Sequence, residues 1–442
     1  MKPHPIGNGY LAPRIPREFA ALMDALQLKG ANTDALLALS NAEWDKLLDL
    51  CDLAHLTLAL AQVTPTGFPK SVTLRLKANV ADNALRFTRV RVSYLEAASA
   101  LQNARVPHLV LKGFTQCPDY VSDPRFRIQS DLDFYCPQDQ IPKATAALEG
   151  IGYAPSYRSN GKLSDHVPTL SRPGNWEWNG NMYDPDMPVS IDLHFCLWND
   201  ASSLIGIPEV KRFWTRRVIR QFDDFSFPAL NVVDQLGYFA LHILRGIFLG
   251  DWIVHHVREL AVFLHHHVED VSLWTQWEKT HSVHQRNLEA IAFSLAEKWF
   301  SCTLPQRVRQ QVDSLPAVQK GWIERFGGSP LQGMFRRTKD GKLLQLLLAE
   351  SWAAKQEVLR RAVFPVVISA PDTPAVRIKN RKEKGPGSLG RNVDYVAYLG
   401  NRLFSHASAT SVFLIHGMTL WLSQRALRSQ FWLYLAAAFF LN

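Results

Sequence analysis

The sequence predicts an α+β fold, a small mixed β-sheet flanked by helices, with an N-terminal helical subdomain and a C-terminal all-α domain. Three observations carry this. Two short strand signals follow one another between Leu109 and Tyr135, the second alternating as Asp131-Leu132-Asp133-Phe134, and a third strand-like segment runs from Val189 to Leu197. Helical periodicity brackets them on both sides. From Asp234 to roughly Leu348 the pattern is mostly helical, with no strand pairs.

Taken in order, Glu18 to Leu28 and Glu43 to Gln62 read as helices, the second with Leu47, Leu50, Cys51, Ala54 and Leu58 at helical spacing. A longer helix is predicted from Asn83 to about Asn103, and Val106-Pro107 ends it before a strand from His108 to Leu111. After the Asp131 strand, Pro137 to Glu149 reads as a helix and Gly150-Ile151-Gly152-Tyr153 as its stop. Ser156 to Pro188 is rich in Gly, Asn, Pro and Trp and suits a hairpin or a loop beside the strands. Residues 365 to 395 read as a linker. The chain then ends in two apolar stretches, Val412 to Leu422 and Phe431 to Leu441, each shorter than the roughly 20 residues that span a bilayer. The expected division is therefore 1–80, an N-terminal helical subdomain; 81–200, an α/β core; 201–364, a helical domain; and 365–442, a basic linker with an apolar tail.

Composition excludes several classes. With 442 residues, 47% hydrophobic, 20% charged and 13 Trp, the chain is globular rather than disordered. Cys51, Cys117, Cys136, Cys196 and Cys302 are odd in number and widely spaced, without a CxxC pair, which argues against a disulfide framework or a zinc finger. The first nine residues lack the basic and apolar runs of a signal peptide, so a cytoplasmic location is expected. A net charge of +9 favours anionic partners, and its densest run, Arg377 to Lys384, precedes Gly385-Pro386-Gly387 as in an exposed loop. The tail either packs on the helical domain or makes a weak contact with a membrane surface.

The chemistry lies in the strands. Successive side chains of a strand point to opposite faces, so Asp131 and Asp133 share one face while Leu132 and Phe134 enter the core. In Ser190-Ile191-Asp192-Leu193-His194-Phe195 the same alternation puts Asp192 and His194 on one face. If the strands are neighbours, three carboxylates meet, and their repulsion is relieved by a cation, for which hard oxygen ligands favour Mg2+ or Mn2+. That points to metal-assisted phosphoryl or nucleotidyl transfer. His194 is a candidate either to orient substrate or ligate metal, or to serve as a hydrogen-bonded structural residue. The histidines at 255–256 and 265–267 read as structural or surface residues, because adjacent helical positions point in different directions.

Val110-Leu111-Lys112-Gly113, Arg127 four residues before Asp131-Leu132-Asp133-Phe134, Leu148 to Tyr153 ending in Gly-Tyr, and Ile191-Asp192-Leu193-His194 together resemble the uncharacterised nucleotidyltransferase family, a branch of the DNA polymerase beta-like nucleotidyltransferase superfamily. The resemblance covers about residues 40 to 265, including Trp44 and Leu47-Leu48 on an upstream helix. It implies a small mixed sheet with carboxylates on adjacent strands holding a divalent metal against a triphosphate. Asp131 and Asp133 would be the metal-binding pair, and Asp192 the third carboxylate and the base for an acceptor hydroxyl. Gly113 would permit close backbone approach to phosphate, and Lys112 or Arg127 would bring positive charge to the leaving group. Two departures stand out. Phe114 follows Gly113 where the superfamily often has Ser or Gly, and His242 is followed by Arg245 and Gly246 where related sequences carry a second His and an acid, leaving Glu259 as the stand-in.

The function so implied is transfer of a nucleoside monophosphate from an NTP such as ATP to a hydroxyl acceptor, which is an RNA end, a protein side chain, a sugar or a small molecule. The alternative is a catalytically degenerate nucleotidyltransferase fold that binds or regulates.

Overall fold

The computed structural model describes residues 15–63, 67–156, 164–364 and 388–423. The chain divides into two compact units, one of Arg14–Arg245 with Val254–Leu315, the other of Met1–Pro13, Gly246–Ile253 and Pro316–Asn442.

The first unit begins with four short helices, α1 (Arg17–Ala25), α2 (Asp34–Leu37), α3 (Asn41–Leu53) and α4 (Thr57–Ala61). Ser40 and Glu43 close a capping box at the start of α3, the Ser40 backbone N–H donating to Glu43 at 2.9 Å. The single helix expected over Glu43 to Gln62 is broken between α3 and α4 at His55, whose backbone is left-handed (φ 57°). No glycine announces that turn in the sequence. Helix α5 runs Lys70–Asn103, 34 residues, and starts thirteen residues before the predicted Asn83. Its N-terminal half buries only scattered residues, Val72, Leu76 and Asn79 among them, which dilutes the periodic signal.

Seven strands follow: β1 (Leu109–Leu111), β2 (Asp131–Tyr135), β3 (Ala154–Pro155), β4 (Leu170–Ser171), β5 (Ser190–His194), β6 (Val218–Phe222) and β7 (Phe225–Ala229). Their order across one mixed sheet is β3-β4-β5-β2-β1-β7-β6. β2 and β5 are parallel neighbours with Asp133 opposite Asp192 and Tyr135 opposite His194. β1 lies antiparallel on the other side of β2, placing Leu111 beside Asp133. The β6–β7 hairpin falls at the start of the segment expected to be helical; β6 exposes Ile219 to solvent, which blurs the alternation that reveals a strand.

Helix α5, with α6 (Ile141–Glu149), supplies the apolar cover. Tyr94 of α5 meets Phe114 at 5.2 Å, Phe225 at 5.8 Å and Phe134 at 6.1 Å between ring centroids, and Leu132, Phe134, Ile191 and Leu193 fill the same core from the sheet. Arg86, on the buried side of α5, aligns the two central strands: its guanidinium donates to the carbonyls of Gln129 (2.9 Å) and Met187 (2.8 Å), just ahead of β2 and β5. The unit continues through α7 (Asp200–Ser203), α8 (Val232–Leu249), α9 (Val254–His266), α10 (Val271–Thr280), α11 (Val283–Phe300) and α12 (Gln306–Asp313). Among the described residues α8 alone is long and apolar enough to cross a membrane, and 78% of it is buried inside the protein.

The second unit contains α13 (Ala317–Phe326), α14 (Ser329–Gln332), α15 (Asp340–Leu348), α16 (Trp352–Val363) and α17 (Ser388–Ser423). Asp340, buried at the start of α15, accepts from His416 Nδ1 of α17 at 2.6 Å and from the Ser329 hydroxyl. Gly341 lies so close to the Ile247 carbonyl that a Cβ would collide with it. The apolar stretch from Val412 lies in α17, where Phe413 and Leu420 are buried, and α17 begins inside the segment read as a linker. The basic run Arg377–Lys384 and the stretch Phe431–Leu441 lie outside the described residues.

Candidate active site

The sheet brings Lys112, Asp131, Asp133, Asp192 and His194 together. Asp133 is at the centre, 4% exposed. Its Oδ1 accepts from Lys112 Nζ at 2.9 Å and from His194 Nε2 at 2.8 Å. Burial alone would raise the Asp133 carboxyl, but the Lys112 charge and the His194 hydrogen bond overcome it and hold the group well below the carboxylate range. Asp131 moves the opposite way, to about 6, because burial and the neighbouring Asp133 charge both disfavour its ionisation. Two carboxylates on one strand face are thus shifted in opposite directions.

Lys112 reaches Asp133 because the chain turns sharply after β1. Lys112 and Gly113 both have positive φ, 49° and 55°. On the Cβ side of Gly113 stands the amide of Gln129, which would collide with any side chain there; it accepts from the Phe114 N–H at 3.1 Å and donates to the Asp131 carbonyl at 2.9 Å. Gly113 is therefore required by the turn and by Gln129. Phe114, the departure from the superfamily pattern, is a fully buried core ring, 4.9 Å from Phe227.

A second tier of charges was not legible beforehand. Asp165, in the segment before β4, receives Arg245 Nη1 from α8 at 2.7 Å and has His194 Nδ1 at 3.6 Å. His194 therefore stands between two buried carboxylates. Burial opposes its protonation, yet Asp165 and Asp133 outweigh that and raise it to about 9, so at neutral pH it is an imidazolium. Asp192 accepts from the Thr169 hydroxyl at 2.6 Å and has His166 Nδ1 at 3.7 Å. Tyr238 of α8 also faces this group, its hydroxyl pushed up by burial. Asp165, Thr169, Arg245 and Tyr238 carry no spacing signal relative to the strands.

Arg127 is oriented elsewhere. Its Nε meets Glu259 of α9 at 2.9 Å, and Glu259 also accepts from Gln116 at 3.5 Å. Glu259, the expected stand-in for a missing acid, neutralises Arg127. His242 is half-buried and held well below its ordinary value by loss of hydration and by Lys112, so it is a neutral imidazole.

The donor set can be tested for a metal ion. One ligand atom each from Asp133, Asp192 and His194 lie within 4.8 Å of one another, and they form the one such group among the described residues. Two carboxylate oxygens at that spacing suit a divalent ion, while Asp131 falls outside the group. Lys112 Nζ already supplies one positive charge at Asp133.

Residues 40–301 match the family model described as uncharacterised nucleotidyltransferase, and the chain belongs to that family. No curated protein and no solved structure matches the chain.

Proposed function

We propose that this member of the uncharacterised nucleotidyltransferase family is a cytoplasmic, Mg2+- or Mn2+-dependent enzyme that moves a nucleoside monophosphate from an NTP, with ATP the first candidate, to a hydroxyl acceptor. The observation that carries the reading is the parallel register of β2 and β5, which sets Asp133 directly opposite Asp192 with Asp131 on the same face. Carboxylates do not crowd in this way without a cationic partner, and a triphosphate site needs cations.

The residues then divide by charge state. Asp133 and Asp192 are the carboxylates that would hold a divalent ion, which when bound neutralises phosphate oxygens and acidifies an attacking hydroxyl. Asp192, which accepts from Thr169, would serve as the base for the acceptor hydroxyl. Asp131, raised to about 6 and so mostly ionised at neutral pH, would add negative charge on the same face. Lys112 is a flexible cation on Asp133; its exchange from Asp133 to a phosphate oxygen would bring positive charge to the departing pyrophosphate. His194, charged and anchored by Asp165, fixes the Asp133 carboxylate and leaves it acceptor-only. Arg127 reaches substrate only if it exchanges Glu259 for phosphate.

A second reading draws on the same ion pair. With Asp133 already bound to Lys112 and His194, the fold also suits a catalytically silent module that binds nucleotide without turnover. Calorimetric titration of each NTP as a non-hydrolysable analogue, with and without Mg2+ or Mn2+, tests both. Metal-dependent binding lost in Asp131→Asn with Asp133→Asn supports the shared site, and pyrophosphate release with any acceptor decides for the enzyme. Absence of binding by folded wild-type protein sinks the nucleotide reading.

A further inference from the structure

The Arg127–Glu259 pair also forms part of the wall of a cavity of about 210 Å³ within the same unit, between the α3–α4 turn, residues 120–128 and α9. That volume lies below the roughly 300–1,000 Å³ typical of sites for drug-sized ligands, so it is small for a nucleoside triphosphate. His55, Tyr120, His255 and Arg258 face it, and Glu259, already bound by Arg127, is the acid among its lining residues.

Arg258 is the unusual member. Its Nε is buried without a hydrogen-bond partner, and no ion pair forms at its guanidinium among the described residues. A guanidinium cannot shed its proton, and Arg258 is half-buried, its Nε edge being the part closed off from water. The surrounding donors are also unused: the Tyr120 hydroxyl and His255 Nδ1 are buried without partners. His55, left-handed at the α3–α4 turn, sets its ring 4.8 Å from that of His255, tilted by 54°. A non-glycine residue in that conformation carries a backbone cost on the order of 1 kcal/mol, a feature that gathers at ligand sites.

We infer that this cavity binds a small oxyanion-bearing molecule, a phosphate monoester or a carboxylate, seated on Arg258 with hydrogen-bond donors from His55, His255 and Tyr120. The anion supplies the charge that Arg258 lacks. Arg127 lines the cavity and its charge also acts on Asp131, so the bound molecule suits the role of an anionic acceptor for the transfer. That role rests on the nucleotidyl-transfer reading; the binding does not.

The test is calorimetric titration of the full chain with inorganic phosphate and, separately, with succinate, in EDTA so that no divalent ion is present. The expected result is saturable binding of at least one probe, weakened roughly tenfold or more by Arg258→Gln and by His55→Asn, the latter tolerating a left-handed backbone, and unchanged in Asp131→Asn. Which probe binds tells a phosphate head from a carboxylate. Binding of neither probe to wild type, or equal affinity in Arg258→Gln, overturns the inference. The melting temperature decides independently: an unpaired cation waiting for a ligand predicts that Arg258→Gln melts at or above wild type, and a lower value makes Arg258 structural and ends the proposal. Mg2+·NTP binding measured on the same samples reports separately on the nucleotide site, so failure there leaves the oxyanion result standing.

Discussion

Two groups of buried charge lie in the first unit, and they differ in how the charge is answered. Around Asp133 the buried carboxylates Asp133 and Asp165 are partnered, the first by Lys112 and His194, the second by Arg245. Around Arg258 the cation has no ion-pair partner among the described residues, and the neighbouring acid is held by Arg127. The first arrangement is balanced in charge without a ligand; the second presents a half-buried cation that an anion would answer. The two also differ in depth: Asp133 and His194 are fully buried, whereas Arg258 is half-buried.

The largest effect that would test this contrast is on chemistry. Asp131→Ala is expected to lower transfer by three orders of magnitude or more, about 4 kcal/mol in the barrier, while melting no lower than wild type, because it removes a carboxyl that repels Asp133. Initial rates with a defined acceptor and a thermal melt read both halves. Unfolding of Asp131→Ala would show that Asp131 is structural. Next comes Asp133→Ala, which strands Lys112 and His194 beside no carboxylate; a loss of about 3–5 kcal/mol is expected in urea unfolding. A loss below about 1 kcal/mol would mean that the pairing contributes little.

The pH dependence of stability sharpens the first group further. His194 has a folded value near 9 against 6.5 unfolded, so its stabilisation is fully present below 6.5 and is lost as pH rises through 9. The size is on the order of 3 kcal/mol at about 1.4 kcal/mol per unit. Wild-type melting temperature should therefore fall between pH 6.5 and 9, and His194→Gln should flatten that fall. Asp131 has the opposite character to a paired acid: its folded value near 6 exceeds 3.8 unfolded, so its contribution weakens stability as pH rises from about 4 to 6. Melting curves of Asp131→Asn should lack that decline. The smallest effect lies in the second group, where Arg258→Leu is expected to change unfolding free energy by less than about 1 kcal/mol or to raise it, since a half-buried charge with no ion pair among the described residues is exchanged for an apolar side chain. A loss of several kcal/mol there would erase the contrast.

Part of this site is legible along the chain because its cause is local. The period of two in Asp131-Leu132-Asp133 and in Ile191-Asp192-Leu193 puts carboxylates on one face and core residues on the other, whatever the neighbours are. Helices α1, α3, α6 and the helical series from α8 onward follow from apolar spacing in the same way, and the ordered motifs from Lys112 to His194 carry the family resemblance. Other features leave no local trace. The break at His55 occurs without a glycine, the β6–β7 hairpin lacks clean alternation, and α5 begins well before its apolar pattern sharpens.

The sequence by itself determined which side chains face together on β2 and on β5, because side-chain alternation is a property of the extended backbone. Tertiary structure alone decided which charges answer one another: His194 with Asp133 across 61 residues, Arg245 with Asp165 across 80, and Arg127 with Glu259 rather than with the aspartates four and six positions along. Ion pairing and burial depend on where α8 and α9 bring their side chains, and that follows from packing of the whole unit, which no short window of sequence contains.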